Sequence, residues 1–168
     1  MGVSIRRLRG KDAPAFRVLH LFALKTAPKA FGEAYEDACA LSQTDWRQRI
    51  ERNHVFGAFS KAVLCGSAQL DRDTDTAIRH KAWLTSLFVD PHYRGKGVAH
   101  LLLEHVFRYA EEQGILQIHL SVGDFNRGAY ALYERFGFKR YGIEARALWA
   151  DGAYVDEHLM VRFLDSNE

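Results

Sequence analysis

The 168-residue sequence has few cysteines and prolines, almost no net charge and no long hydrophobic run. Its two cysteines, Cys39 and Cys65, are too few and too far apart for a disulfide framework or a zinc site, so we expect two reduced core residues in a cytoplasmic protein. The net charge of +2 is too small and too balanced to indicate nucleic acid or a membrane surface as a partner. No apolar run approaches the roughly 18 residues of a membrane span, and none follows Met1–Gly10 as in a signal peptide.

The composition is that of an ordinary globular protein. With 48% hydrophobic and 26% charged residues, it argues against intrinsic disorder and against a fibrous rod. A chain of this length can bury a full core without metals or disulfides. No internal repeat, low-complexity tract or linker divides it, so we predict one domain over residues 1–168.

Apolar periodicity and turn residues predict a mixture of strands and helices. Strands are predicted at Ser4–Arg9, as a pair within Val55–Leu70 that turns near Ser60–Lys61, and at Lys81–Val89, Ile115–Val122, Phe138–Tyr141 and Glu157–Phe163. Helices are predicted from a capping Asp12 to Pro28, and at Thr44–Arg52, Gly97–Gln113 and Arg127–Phe136, with Trp46 and Ile50 facing inward. Antiparallel strands followed by strand–helix–strand units indicate an α/β fold with a mixed sheet.

The segment Arg94–Ala99 (RGKGVA) lies between the predicted strand that ends at Val89 and the helix that begins near Gly97. Its two glycines let the backbone approach a ligand closely. The N–H groups at the start of the helix carry the positive end of the helix dipole, and Arg94 and Lys96 add cationic side chains. This turn suits a pyrophosphate.

Other phosphate-binding loops fit this segment less well. The dinucleotide fingerprint requires a glycine or alanine where His100 stands, and no Walker A sequence occurs. The alternative is a glycine-rich turn whose basic side chains are simply solvated.

Two blocks carry a resemblance to a known family. Arg94-x-x-Gly97-x-Ala99 resembles the pyrophosphate-binding motif of the GNAT superfamily of acetyl-CoA-dependent N-acetyltransferases. The segment 126–138 (NRGAYALYERFGF) resembles a second block of that superfamily. The match is strong in order and spacing from Trp83 to Gly142, and the segment 146–160 also resembles bacterial members. The first 70 residues match only in the layout of their elements.

The resemblance implies an α/β (α+β) fold. Its mixed, mostly antiparallel central sheet of about six or seven strands would be splayed at the cofactor cleft and flanked by about four helices. Acetyl-CoA would lie between the strands ending at Val89 and Val122. The cofactor-binding residues that the resemblance implies are the backbone of Leu87, Phe88 and Val89 for the pantetheine arm, the N–H groups of Arg94, Gly95, Lys96, Gly97, Val98 and Ala99 for the pyrophosphate, and Asn126, Ala129 and Tyr133 near the thioester end.

Acetyl transfer by direct attack requires a neutral amine and a stabilised leaving sulfur. Deprotonating a lysine-like amine at pH 7 costs about 4.6 kcal/mol, but an α-amine costs only about 1–1.4 kcal/mol, so the need for a base depends on the acceptor. Tyr133 is the candidate general acid, with packing beside Phe136 as its structural alternative. Glu33 and Glu36, between the first two helices, are the candidate bases unless they form a solvated face. Weaker candidates for moving a proton are Asp156, Glu157, Ser86 and Ser121.

The function expected from the resemblance is acetyl transfer from acetyl-CoA to a primary amine in a ternary complex. We expect a small-molecule acceptor, no metal and no membrane, and a homodimer stays open. Three alternatives remain: a protein N-terminal or lysine acetyltransferase, a non-catalytic CoA-binding module, and a nucleic-acid-binding domain. The last would use Arg6, Arg7, Arg9 and Lys11, but aromatic residues do not alternate with these basic ones as base stacking requires.

Overall fold

The computed structural model describes residues 2–165, and its central feature is a seven-stranded sheet in the order β1-β2-β3-β4-β5-β7-β6. Every neighbouring pair is antiparallel except β4 and β5. The strands are β1 Val3–Arg7, β2 His54–Ser60, β3 Val63–Arg72, β4 Lys81–Val89, β5 Gln117–Gly123, β6 Lys139–Ala150 and β7 Ala153–Phe163. The expected mixed, mostly antiparallel α/β fold is confirmed.

Within residues 2–165, five α-helices flank this sheet, one more than the sequence predicts. They are α1 Ala13–Thr26, α2 Tyr35–Cys39, α3 Gln43–Arg52, α4 Val98–Glu112 and α5 Arg127–Arg135. The unpredicted helix is α2, which has five residues and buries only Ala38. A helix this short shows no apolar periodicity that could reveal it. None of the helices described between residues 2 and 165 has the length and apolarity to cross a membrane.

The core lies on both faces of the sheet. Neighbouring strand residues point to opposite faces, so Val55 packs with the cluster around α1 and α3, whereas Phe56 packs with the cluster around α4. Trp46 and Ile50 of α3 are each 1% exposed, which confirms their predicted inward direction. The sheet therefore separates two clusters of the core, with α1 and α3 packed on one face and α4 on the other.

Replacing Ile50 with alanine is expected to lower the free energy of unfolding by about 2–5 kcal/mol, because it leaves a cavity among fully buried neighbours. Denaturant unfolding measures this change. The matched control is Val18→Ala on α1, where the side chain is 68% exposed and the expected change is within about 0.5 kcal/mol. Equal effects of the two variants would contradict the assigned packing.

Two expectations about single residues are wrong. The carboxylate of Asp12 does not cap α1: it accepts hydrogen bonds from the Arg6 guanidinium at 2.8 Å and from the Arg9 N–H at 2.8 Å, which together hold the strand-to-helix turn. Cys39 is exposed rather than part of the core, because it ends the short helix α2. Cys65 is buried as expected, and burial raises the pKa of its thiol.

The sheet splits between β4 and β5. These strands pair in parallel at only three positions, the last being Trp83 opposite His119. Beyond that point β4 continues for six residues to Val89 and β5 continues to Gly123. β4 also has a bulge opposite Ser67–Gln69, where Ser86 adopts a left-handed φ of 52°. The two strands thus form the arms of a V that opens towards their carboxyl ends.

Candidate functional site

A cleft of about 410 Å³ occupies this V. Its walls come from the segment after α1, Arg49 of α3, the strands β3 to β7 and the helix α5. Of the predicted site residues, the cleft is lined by Glu33, Leu87, Asn126, Ala129 and Tyr133, together with Ser86, Ser121 and Glu157. Phe88 and Val89 are buried in the core beside it, 6% and 7% exposed, and Glu36 lines a separate groove. The structure therefore brings together two predicted carboxylates, Glu33 and Glu157, and the three residues of the second block.

Tyr133 reaches the cleft from the last turn of α5. Its side chain is 8% exposed, and its ring packs edge-on against Phe138 with the centroids 5.8 Å apart. Burial raises the pKa of its phenol above the ordinary value, so the hydroxyl keeps its proton at neutral pH. Tyr133 can therefore donate a hydrogen bond in the cleft but cannot act there as a base.

Asn126 positions the start of α5. Its Oδ1 atom accepts a hydrogen bond from the Ala129 N–H at 3.2 Å and so caps the helix. Because the oxygen is used in the cap, the amide nitrogen is the part of the Asn126 side chain that can donate to a ligand. One residue thus fixes the helix that carries Tyr133 and offers a donor to the cleft.

The Arg94–Ala99 loop leads from β4 into α4. Gly95 and Gly97 have left-handed φ values of 72° and 77°, which explains why the sequence has glycine at both positions. The side chains of the two cations fold back onto their own loop: Arg94 Nε donates to the Val89 carbonyl at 2.9 Å, and Lys96 Nζ donates to the His92 carbonyl at 3.1 Å. The first turn of α4, whose N-cap is Gly97, lacks a side-chain cap and so presents its N–H groups.

Glu33 belongs to an ion-pair network on the side of the cleft that faces α1 and α3. Its carboxylate accepts hydrogen bonds from Arg49 Nη1 at 2.9 Å and Nη2 at 3.0 Å, and His20 Nε2 lies 2.8 Å from Oε2. Burial acts to raise the pKa of Glu33, but the hydrogen bonds from His20 and Arg49 outweigh it and lower the pKa to about 2. A carboxylate held in this way is a weak proton acceptor.

The low pKa of Glu33 makes stability depend on pH. A folded-state pKa below the unfolded value contributes stability that is complete above the unfolded value and is lost as the pH falls through the folded one. We expect the stability difference between wild type and Glu33→Gln to be full above about pH 4.5 and to shrink towards pH 2. Thermal melts across this range measure it, and a difference that stays constant with pH would contradict the network.

Glu157 is the second predicted carboxylate that lines the cleft. It lies on β7 opposite Gly123 of β5 and opposite Glu144 of β6. Burial raises its pKa, the charge of Glu144 adds to the rise, and a hydrogen bond with Ser121 opposes it. Its neighbour Asp156 instead accepts the Arg146 N–H at 2.8 Å and holds the β6–β7 hairpin.

The cleft also contains a polar network that no motif in the sequence predicts. Gln69 Nε2 donates to Asp71 Oδ1 at 2.8 Å, and Thr85 Oγ1 donates to Asp71 Oδ2 at 2.9 Å. All three residues line the cleft. The pairing of β3 with β4 brings them together, and only the register of that pairing could have predicted the contact.

A second groove, of about 810 Å³, adjoins the cleft. It runs between the segment after α1 and the β6–β7 hairpin, and Glu36 and Trp149 are among its lining residues. Phe31, Gly32, Glu33 and Leu148 line both cavities, so the two share a wall. Across residues 2–165, no group of three or more His, Cys, Asp or Glu side chains is arranged to hold a metal ion.

Comparisons with known proteins agree with this geometry. The chain is 35% identical over 78 residues to human N-acetyltransferase 8, covering 46% of this chain and 34% of that protein. It is 30% identical over 108 residues to the streptothricin acetyltransferase of Streptomyces lavendulae, covering 61% of this chain and 57% of that protein. The chain thus spans less than two thirds of these relatives.

A solved structure shares the whole fold. The putative acetyltransferase from Salmonella typhimurium with its cofactor acetyl-CoA superimposes with a TM-score of 0.81 at 20% identity, covering 100% of this chain and 97% of that one. The sequence model of the acetyltransferase (GNAT) family matches residues 19–138, which is more than half of the chain and includes both blocks noted in the sequence. The chain therefore belongs to the acetyltransferase (GNAT) family.

Proposed function

We propose that this protein is an acetyl-CoA-dependent N-acetyltransferase that acts on a primary amine by direct attack in a ternary complex. The observation that carries the proposal is the convergence of Asn126 and Tyr133 with the β4 bulge in one cleft, at the point where the sheet splits. A module that only binds CoA would not need a buried phenol there. We further propose that residues 1–168 form one domain and act in the cytoplasm, where the exposed Cys39 stays reduced.

The cosubstrate would bind through backbone groups of β4 and of the Arg94–Ala99 loop, which follows β4 and is not among the residues that line the cleft. Leu87, Phe88 and Val89, at and after the bulge, would pair with the pantetheine arm as an added strand does. The N–H groups of the Arg94–Ala99 loop would hold the pyrophosphate, because the first turn of α4 presents them with the helix dipole behind. Near the thioester, the Asn126 amide and the backbone of α5 at Ala129 would orient the acetyl group.

The reaction then follows from the groups in the cleft. The amine nitrogen attacks the thioester carbonyl carbon and gives up a proton, and the carbon–sulfur bond breaks to release the CoA thiolate. The hydroxyl of Tyr133 would stabilise that thiolate by donating a hydrogen bond. Complete proton transfer from the phenol to a thiolate whose thiol pKa is about 8.5 runs uphill, so a positioned donor is the role that fits.

We propose Glu157 as the group that takes the proton from the amine, directly or through Ser121. Of the sequence candidates, Glu33 is bound to Arg49 and has its pKa lowered to about 2, and Glu36 lines the outer groove rather than the cleft. Glu157 lines the cleft itself, and burial moves its pKa upward, towards the range in which a base works well at neutral pH. Ser121 lies between β4 and Glu157 and can relay a proton.

Replacing Glu157 with glutamine is expected to lower kcat/KM at pH 7 by about 10- to 100-fold. The loss should shrink as the pH rises towards the pKa of the acceptor amine, because more of the amine is then already neutral. A pH profile of kcat/KM measures both effects. Glu134→Gln, which changes an exposed carboxylate on α5, is the control and should keep the wild-type profile; an unchanged profile in the Glu157 variant as well would remove Glu157 from the mechanism.

The dimensions of the site favour a small acceptor over a protein. The cleft and the groove measure about 410 and 810 Å³, within the usual range of about 300–1,000 Å³ for small-molecule sites. The test of the whole proposal combines two assays. Acetyl-CoA should raise the melting temperature where NAD and ATP do not, and CoA thiol should be released when an amine is added; a shift with NAD or ATP alone would overturn it.

A further inference from the structure

The walls of the two adjoining cavities carry a charge opposite to that of the whole chain. The chain has a net charge of +2. Within the part that the structure describes, the cavities are lined by six acidic residues and two basic ones, namely Glu33, Glu36, Asp37, Asp71, Asp151 and Glu157 against Lys25 and Arg49. A cleft lined by one sign of charge concentrates ligands of the other sign.

Two of the three carboxylates in the inner cleft, Asp71 and Glu157, are not neutralised by the cation nearby. Arg49 is bound through both of its terminal nitrogens to Glu33. Asp71 instead accepts hydrogen bonds from the neutral groups of Gln69 and Thr85. These donors satisfy the oxygens of Asp71 but leave its negative charge, so the charge remains available to a cationic ligand.

The side chain of Gln69 independently indicates that the cleft lacks a hydrogen-bond donor. The residue lines the cleft and is 6% exposed, and its Oε1 atom has no hydrogen-bond partner among the described residues. The orientation of the amide is set by Asp71, because turning the amide over would place two oxygens together at 2.8 Å. A buried acceptor without a donor is costly, and a protonated nitrogen beside Asp71 would satisfy it.

The outer groove is also lined by groups that attract cations. Tyr35 and Trp149 line it together with Glu36, Asp37 and Asp151, and the faces of aromatic rings attract cations as carboxylates do. The Lys25 ammonium lies 6.0 Å from the centre of the Tyr35 ring, at the outer limit of a cation–π contact. Because the groove and the cleft share the wall at Phe31–Glu33 and Leu148, one elongated molecule can occupy both.

We propose that the acceptor is an oligoamine: a molecule with a primary amine, at least one further protonated nitrogen and no carboxylate. Asp71 and Gln69 bind one nitrogen, and the aromatic and acidic groove receives the remainder of the chain. This inference rests on the proposed function and narrows its acceptor. It excludes free amino acids, because their carboxylate would face Glu157 and Asp71.

The test uses three four-carbon amines that differ only in the far end: 1,4-diaminobutane, n-butylamine and 4-aminobutanoate. CoA thiol release is measured with each at saturating acetyl-CoA. We expect kcat/KM for the diamine to exceed that for butylamine by at least about tenfold, with 4-aminobutanoate lowest. The KM for the diamine should rise with ionic strength, whereas that for butylamine should change little.

The variant Asp71→Asn removes the charge but keeps the shape of the side chain. We expect it to lower the ratio of diamine to butylamine kcat/KM at least about tenfold, and Glu112→Gln on the exposed face of α4 to leave the ratio unchanged. Asp151→Asn in the outer groove gives a second test if the first variant unfolds, since asparagine tolerates the left-handed φ of 55° at that position.

The outcomes of these assays test the oligoamine inference separately from the proposed function. Equal use of the three amines, a preference for 4-aminobutanoate, or a preference for an uncharged peptide N-terminus overturns the oligoamine inference and leaves acetyl transfer intact. Turnover with none of these acceptors, in a protein that acetyl-CoA stabilises, contradicts the proposed function, and the inference falls with it. A raised diamine ratio that Asp71→Asn abolishes supports both.

Discussion

Replacing Tyr133 with phenylalanine is expected to lower kcat by about 100- to 1,000-fold, within the range that a positioned proton donor contributes. The expected change in the Kd for acetyl-CoA is less than about threefold, because one hydrogen bond to a neutral group contributes little to binding. The substitution removes one oxygen and keeps the ring, whose edge-on contact with Phe138 fixes its position. Since burial raises the pKa of the phenol, the wild-type hydroxyl is protonated across the neutral range and can donate throughout it.

The measurement is steady-state thiol release together with calorimetric titration of acetyl-CoA. The matched control is Tyr130→Phe, three residues earlier on α5, where the ring packs against His158 with the centroids 5.1 Å apart. Tyr130 is not among the residues that line the cleft, so its variant should keep the wild-type kcat. If the Tyr133 variant lost binding and turnover equally, the phenol would be a structural group rather than the donor to sulfur.

The elements with strong local signals could be predicted from the sequence. The strand Lys81–Val89 has the predicted bounds, because a continuous apolar run ends at Asp90–Pro91. The ends of α4 and α5 follow from Gly97, Gly114 and Gly137, whose φ values of 77°, 69° and 82° require glycine. Local conformation at these positions is decided by single residues, which is why it can be read without a structure.

What could not be predicted depends on contacts between distant segments. β6 has 12 residues where the sequence predicts Phe138–Tyr141, and β7 has 11 where it predicts Glu157–Phe163. Much of β6 is exposed and shows no alternation of apolar residues, although Asp151–Gly152 is a recognisable hairpin turn. The lowered pKa of Glu33 could not be predicted either. Arg49 lies 16 residues away in the sequence and neutralises Glu33 only after α3 folds against α1. The Gln69–Asp71–Thr85 network depends on the register of β3 with β4. The chemistry of individual carboxylates is therefore a tertiary property.

Replacing Gly97 with glutamate is expected to weaken acetyl-CoA binding by about 1,000-fold or more. A carboxylate about 4 Å from a pyrophosphate charge is repelled by about 4 kcal/mol near a protein surface, which corresponds to roughly this factor. A Cβ atom at Gly97 meets no atom within 4 Å, so the substitution causes no clash within the protein. The left-handed φ of 77° adds about 1–2 kcal/mol of strain, which lowers stability rather than affinity.

Three variants separate charge from strain and bulk in this prediction. Gly97→Ala carries the strain alone and should bind acetyl-CoA within a few-fold of wild type, and Gly97→Lys has similar bulk to glutamate without its negative charge. Gly114→Glu places the same side chain at a glycine with a φ of 69° and open space around it, at the opposite end of α4. It should lower the melting temperature but leave the Kd unchanged, because the N–H groups that would hold the pyrophosphate lie at the other end of the helix. Titration with acetyl-CoA measures the Kd of each variant. Equal losses of affinity in the glutamate and lysine variants would show that the bulk of the side chain, not its charge, prevents the cosubstrate from binding to the loop.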